Sequence, residues 1–340
     1  MTRVLVTGAG GVLGSELFAQ LQNVAGLDVV GVTSRGRPEQ GVAAWRMGMQ
    51  PRPAGLAGHW DVVMHCAAST RWSMTPQEAI DANIKPTLAL DQVVDPDTHL
   101  IHVSTAYAGG RSGSIDSSDR IDYRNSYEWS KAACERLVRQ RFPSSTIYRP
   151  PLIIGRRHDG HASRFTGIYT FLRAASTGLA PALVAAPRGR LEIVPVDDVA
   201  SHAVTLVVGD RPDSTVVDII GRGHRALTVG ETLDITQGAL NEIRAAHGLA
   251  PIPRPPLIEP DRWTRFYLPF ASQHLTSRQL RTVRLLSEFE PYTSIEEPFM
   301  ITTPVRDITP ALRAAIRYWA QRYPTAALGK PRAWSADAAS

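Results

Sequence analysis

The segment that most restricts this chain is Val4-Leu5-Val6-Thr7-Gly8-Ala9-Gly10-Gly11-Val12-Leu13-Gly14 near its amino end. A short apolar run rich in β-branched residues reads as a buried strand. The stretch 15–24 then places Leu17, Leu21 and Val24 on one helical stripe. Between strand and helix, Gly8, Gly11 and Gly14 repeat every third residue, with Gly10 among them. One glycine permits a tight turn, one lets backbone approach a pyrophosphate, and one lets the helix pack close on the strand. The helix start adds free N–H groups and the positive end of the helix dipole. This strand–turn–helix context favours a dinucleotide cradle over a plain glycine-rich turn.

Short apolar runs continue to alternate with helical stretches, the pattern of βαβ units and a parallel sheet. Strands are predicted at 28–33, weakly within 43–49, and at 61–65, 99–103 and 145–148. Helices are predicted at 76–94, where Pro86 must kink or restart the helix, and at 126–141. Beyond residue 150 the pattern loosens. Val194–Asp198 and Val216–Ile220 read as a return to the sheet, and 230–248 and 310–323 as helices. The expected fold class is therefore α/β, a doubly wound parallel (Rossmann) sheet with a smaller, mostly carboxyl-terminal substrate lobe. Residues 1–150, joined by 191–224, would form the dinucleotide-binding domain. Residues 151–190 and 225–327 would form the lobe, and 328–340 a disordered tail.

Composition narrows the classes further. The 340 residues are 43% hydrophobic and 20% charged, as expected of a globular protein. No apolar run approaches the ~20 residues of a membrane span, and Met1 leads almost directly into a strand, so neither membrane nor signal peptide is expected. Cys66 and Cys134 are too few for a disulfide framework or a zinc spacing, and read as reduced cytoplasmic thiols. The net charge is +5, but the basic residues are scattered, which argues against a nucleic-acid partner. His158 and His161 in a glycine loop read as loop, and no metal is assigned.

The end of the second strand chooses between cofactors. A carboxylate there bonds the adenosine ribose, whereas an arginine accommodates a 2′-phosphate. This chain has Thr33-Ser34-Arg35-Gly36-Arg37. Arg35 can pair a phosphate with two N–H groups and Ser34 can donate beside it, so NADP (NADPH) is the expected cofactor.

Tyr127 and Lys131 stand four apart on a predicted helix and share a face. Asn125 and Glu128 resemble a capping box that starts this helix. A phenol of ordinary pKa near 10 is a poor acid–base group at neutral pH, and a neighbouring ammonium favours its ionised form. Lys131 can also reach cofactor ribose hydroxyls. Only three of the 37 basic residues are lysines, so a lysine at this spacing carries information. Val103-Ser104-Thr105 supplies hydroxyls at the carboxyl end of the fifth strand, where open α/β sheets place ligands. Strand parity separates the two, and Thr105 is the expected partner of the substrate oxygen.

Together these residues resemble the extended short-chain dehydrogenase/reductase superfamily. The resemblance rests on Thr7 to Gly14, His65-Cys66-Ala67-Ala68, Ser104-Thr105, Tyr127-x-x-x-Lys131, Arg149-Pro150-Pro151 and Val194–Asp198. His102 to Tyr107, Ser126 to Lys131 with Cys134 to Arg136, and Arg149 to Gly155 with Phe165 to Tyr169 resemble its thioester-reductase and fatty acyl-CoA reductase branch. The resemblance implies that Gly8, Gly11, Val12 and Leu13 hold the pyrophosphate. It also implies that Ala67 and Ala68 line the cofactor cleft and Pro150 lies beside the nicotinamide. The acidic residue expected after strand three is replaced around Met47-Gly48-Met49.

The leading expectation is an NADPH-dependent reductase in which Thr105 and Tyr127 hold a carbonyl oxygen, Tyr127 donates the proton and Lys131 tunes it. The substrate would be a small-molecule or carrier-bound acyl group, with Arg156 and Arg157 meeting phosphate or an acidic carrier surface. Alternatives are a ketone or aldehyde reductase of small-molecule biosynthesis, an NAD-retaining nucleotide-sugar epimerase-like enzyme, and a non-catalytic NADP-sensing protein.

Overall fold

The computed structural model describes residues 1–67, 69–178 and 182–331. Its frame is an eight-stranded, mostly parallel sheet. Six strands carry it in the amino-terminal half: β1 (Thr2–Thr7), β2 (Leu27–Thr33), β3 (Val42–Ala44), β4 (Val62–His65), β5 (His99–Val103) and β6 (Ser145–Arg149). They lie in the order β6-β5-β4-β1-β2-β3, and Val216–Gly221 and Thr303–Pro304 extend the sheet beyond β6. The chain leaves β1 for β2 on one side and β4 on the other, with Val4 beside both Val29 and Val62. This reversal opens a crevice at the carboxyl ends of β1 and β4, where doubly wound sheets bind ligands.

Val4, Leu5 and Val6 are wholly buried, as a strand covered on both faces requires. Leu5, Val63, Leu100 and Ile147 form one row of the core with Trp60, Leu90 and Val138. Each such side chain contributes roughly 1.5–3 kcal/mol by leaving water. Val138 belongs to the helix Ser126–Arg141, whose buried residues Lys131, Cys134, Glu135 and Val138 recur at helical spacing. The same face that packs the helix on the sheet therefore carries the lysine down to the ends of β4 and β5.

The 76–94 region is helical, and it absorbs Pro86 by restarting, as expected. Pro76–Ala79 passes into a π turn at Ile80–Ile84, and Lys85–Leu88 continues with Pro86 in its first turn. A wider turn just before a proline relieves the carbonyl that has lost its N–H donor.

The chain divides into two compact units. One comprises Met1–Pro151, Val196–Ile220 and Ile301–Pro304; the other comprises Leu152–Pro195, Gly221–Met300 and the remainder from Val305. The reading of Val194–Asp198 as part of the main sheet needs correction. β6 ends at Arg149, and the next two residues, Pro150 and Pro151, cannot donate to a ladder. The following strand, β7 (Leu152–Ile154), pairs instead with Ile193–Pro195 in a separate two-stranded sheet. Val196–Val208 is a helix, with Asp197 and Asp198 in its first turn, where the helix dipole favours carboxylates. Residues 191–195 thus lie with the second unit.

The second unit contains the helices Val229–Ala246 and Thr309–Arg322. The expected tail is also ordered further than its composition suggests. Pro324–Leu328 is a helix, and the Arg244 guanidinium donates to the carbonyls of Ala327 and Gly329 at 2.8 and 2.9 Å. Residues 332–340 of the expected tail lie outside the described residues. No helix among the described residues is long and apolar enough to cross a membrane.

Candidate active site

The glycine turn is closed by sterics. Gly8 has φ of 70°, and a Cβ there would sit 2.8 Å from the backbone of Cys66 and Ala67 at the end of β4. A Cβ at Gly14 would stand 2.2 Å from the Gly8 carbonyl oxygen. Gly11 caps the helix Val12–Leu21, and its N–H donates to the Gly8 carbonyl at 2.8 Å. The first-turn N–H groups of Val12, Leu13 and Gly14 have no acceptor within the helix. These residues fit a dinucleotide pyrophosphate: small, bare backbone at a helix start with unpaired donors.

A cleft of about 620 Å³ continues from Gly8 along the ends of β2 and β3. Ser34 and Arg35 line it together with Ala67, Trp45, Met47, Met49 and Pro86. Arg46 also lines it, a residue the sequence reading did not single out in so arginine-rich a chain. No carboxylate is among the described lining residues, while the guanidinium groups of Arg35 and Arg46 stand there for an anionic ligand. Gly48, with φ of 73°, lets the loop after β3 lie against the backbone of Lys85. Ala68 lies outside the described residues. Pro150 is buried, and its carbonyl accepts the Ala106 N–H at 3.1 Å, which ties the turn after β6 to the one after β5.

The helix bearing Tyr127 and Lys131 starts at Asn125, whose side-chain oxygen accepts the Glu128 N–H at 3.1 Å. The Glu128 carboxylate reaches back to the Arg124 N–H at 3.1 Å, one residue earlier than an ordinary capping box. The structure gives the two hydroxyls after β5 different partners. Ser104 donates to the Glu135 carboxylate at 2.5 Å, and Arg149 grips that same carboxylate with two N–H groups at 2.8 and 2.6 Å. Thr105 caps the short helical turn after β5, its hydroxyl accepting the Tyr107 N–H at 3.4 Å, and it acts on the Tyr127 phenol to favour its ionised form.

The electrostatics differ from the expectation that Lys131 lowers the Tyr127 pKa. Burial pushes the Tyr127 phenol up to about 12, and Thr105 only partly opposes this. Burial also holds Lys131 below the usual lysine range, against the opposing pull of Cys134, Glu135 and Cys66. The Lys131 ammonium donates to the Val103 carbonyl at 2.5 Å. Tyr127 is thus a protonated donor at neutral pH, with Lys131 one helical turn behind it.

Two features were beyond sequence reasoning. Asn83, wholly buried in the π turn, holds the segment after β4: it accepts the Ser69 N–H at 2.7 Å and donates to Ser130 Oγ at 2.8 Å. His65 and His102 stack across β4 and β5, 5.3 Å apart, and the Lys131 charge acts on both rings. Arg157, expected to await a substrate phosphate, donates to the Asp307 carbonyl at 2.5 Å within its own unit. His161 packs edge-on against Tyr318, and among the described residues no three His, Cys, Asp or Glu side chains gather as metal ligands.

Comparison with known proteins adds an independent line. A family model described as "Male sterility protein" matches residues 41–203. The spore coat polysaccharide biosynthesis protein SpsK of Bacillus subtilis is 31% identical over 185 residues, covering 52% of this chain and 60% of that protein. Fatty acyl-CoA reductase 2 of Homo sapiens is 26% identical over 206 residues, covering 48% and 40%. The chain thus spans about half the length of these relatives. Among solved structures, the terminal R domain from the myxalamid PKS-NRPS biosynthetic pathway superposes with a TM-score of 0.66 at 16% identity, over 98% of this chain and 93% of that one. At that identity the likeness is one of fold.

Proposed function

We propose that the chain is an extended short-chain dehydrogenase/reductase of the male sterility-like, thioester-reductase branch, and that it acts as an NADPH-dependent reductase of an acyl thioester or its derived carbonyl. The observation that carries the reading is the Thr105–Tyr127 hydroxyl pair at the end of β5, with Lys131 one turn away. Gly8, Gly10, Gly11, Val12, Leu13 and Gly14 would hold the pyrophosphate, Ser34 and Arg35 the 2′-phosphate, Lys131 the ribose, and Ala67 and Pro150 would lie beside the rings. The cofactor, when bound, supplies the hydride.

Thr105 and Tyr127 hold the carbonyl oxygen of the substrate. Tyr127, kept protonated by burial, delivers its proton to that oxygen as negative charge develops there. Lys131 places a positive charge beside the phenolate that remains. On a thioester the product of this step is a hemithioacetal, which expels the thiol and leaves an aldehyde.

NADPH oxidation against a panel of acyl-CoAs, carrier-bound thioesters, aldehydes and ketones tests the reading. Turnover of thioesters is expected; reduction of free carbonyls without any thioester activity refutes it. One observation favours a second reading, a ketone or aldehyde reductase of small-molecule biosynthesis. Arg157, one of two residues expected to meet substrate phosphate, is engaged by the Asp307 carbonyl. SpsK, by its name, belongs to polysaccharide biosynthesis, where such a reductase would serve.

A further inference from the structure

His65 on β4 and His102 on β5 are register partners across the sheet. They share the face of Val63 and Leu100, which packs against the helix bearing Lys131. The two rings are 1% and 0% exposed and stack with an interplanar angle of 25°. Thr7 Oγ1 meets His65 Nδ1 at 2.8 Å. His65 Nε2 and both ring nitrogens of His102 have no hydrogen-bond partner among the described residues. Buried polar atoms are costly unless bonded, so three together in one layer point to a bound polar ligand.

The ligand's chemistry follows from the surroundings. Burial keeps both rings neutral, with the Lys131 charge adding to it: His65 falls to about 3 and His102 well below its usual value. A neutral imidazole offers one acceptor and one donor. Lys131 has three N–H donors, and one is given to the Val103 carbonyl. A cation is repelled by the ammonium, and an apolar guest would leave the nitrogens unbonded. Water, which donates and accepts, satisfies both sides.

We propose that His65, His102 and Lys131 form an internal water site in which water bridges the imidazole nitrogens to the ammonium, holding the catalytic lysine charged and in place. The proposal rests on Tyr127 and Lys131 being the catalytic pair. The histidines are positioning residues that act through Lys131. The other titratable groups around Lys131 are Cys66 after β4, and Tyr127, Cys134 and Glu135 on its own helix. Glu135 is already bonded to Arg149 and Ser104. Removing acceptors from the layer disfavours the ammonium, lowers the Lys131 pKa further, and moves the basic limb of the rate profile to lower pH. Lys131 sets that limb, because the Tyr127 phenol stays protonated up to about 12.

The test is His102→Leu in the full chain. A purely structural histidine with two unbonded nitrogens should be replaced at no cost to melting temperature or activity. The water site predicts an unchanged or higher melting temperature, a kcat lower by about tenfold, and a basic limb moved down by about one pH unit, the scale of one hydrogen bond to a charged group. His102→Asn, which keeps an acceptor, should recover most of the loss. His65→Leu should give the same profile shift, and it stands in if His102→Leu does not fold. A crystal structure of the native protein should show an ordered water within about 3.2 Å of a ring nitrogen and of Lys131 Nζ. Native kcat and pH profile in the leucine variants, or no such water, overturns the proposal. Persisting activity in Tyr127→Phe would instead refute the catalytic pair, so the two failures are separable.

Discussion

Gly14→Ala adds a single methyl group, and the structure says where it must go. The new Cβ would lie 2.2 Å from the Gly8 carbonyl oxygen and 2.8 Å from its carbon. Both contacts are backbone, so no side chain can swing aside. A normal carbon–oxygen separation requires the turn and the helix start to part by about 1 Å, since contact carbons sit near 3.5 Å. Overpacking of that kind costs ~1–3 kcal/mol of stability. The larger effect falls on binding. Moving the first-turn N–H groups by about 1 Å takes a hydrogen bond beyond its range. One bond to a charged group is worth ~1.5–3 kcal/mol, so the NADPH dissociation constant should rise about 10- to 150-fold. Gly238→Ala is the matched control. It lies inside the helix Val229–Ala246 with nothing within 4 Å of the added Cβ. There alanine should stabilise the helix by up to ~1 kcal/mol and leave NADPH binding unchanged. Fluorescence titration with NADPH and thermal unfolding read both quantities. Native NADPH affinity in Gly14→Ala would show that the turn does not hold the pyrophosphate.

Tyr127→Phe removes one hydroxyl and keeps the ring, so turnover should fall on the order of 10²–10⁴-fold with NADPH affinity nearly native; steady-state kinetics and titration check both halves. Lys131→Arg keeps the charge, but its planar head cannot replace a compact ammonium beneath Val103, and a large loss of kcat is expected. Arg35→Asp should weaken NADPH and relatively favour NADH in competitive titrations, because it puts a carboxylate where the cleft has none. Glu135→Leu strips the partner from the largely buried Arg149 guanidinium, whose side chain is 14% exposed. Unfolding free energy should drop by ~3–5 kcal/mol in a urea titration, with much of it recovered when Arg149→Met is added to Glu135→Leu.

What the sequence determined by itself is local in origin. The glycine turn after β1, the four-residue step from Tyr127 to Lys131, and the opposite facing of Ser104 and Thr105 follow from bond geometry and from the periods of helix and strand. The parallel sheet was legible because its strands are short apolar runs separated by helical periodicity. Tertiary structure decided whatever depends on residues far apart in the chain. It gave Ser104 to Glu135, 31 positions on, and left Thr105 for Tyr127. It set Arg46 in the cleft opposite no carboxylate and stacked His65 on His102 across β4 and β5. It drew Ile193–Pro195 to β7, because two prolines after Arg149 had already ended the ladder there. It also reversed the expected tuning of Tyr127, since a phenol's pKa responds to burial by the whole fold and not to a neighbour's position in sequence.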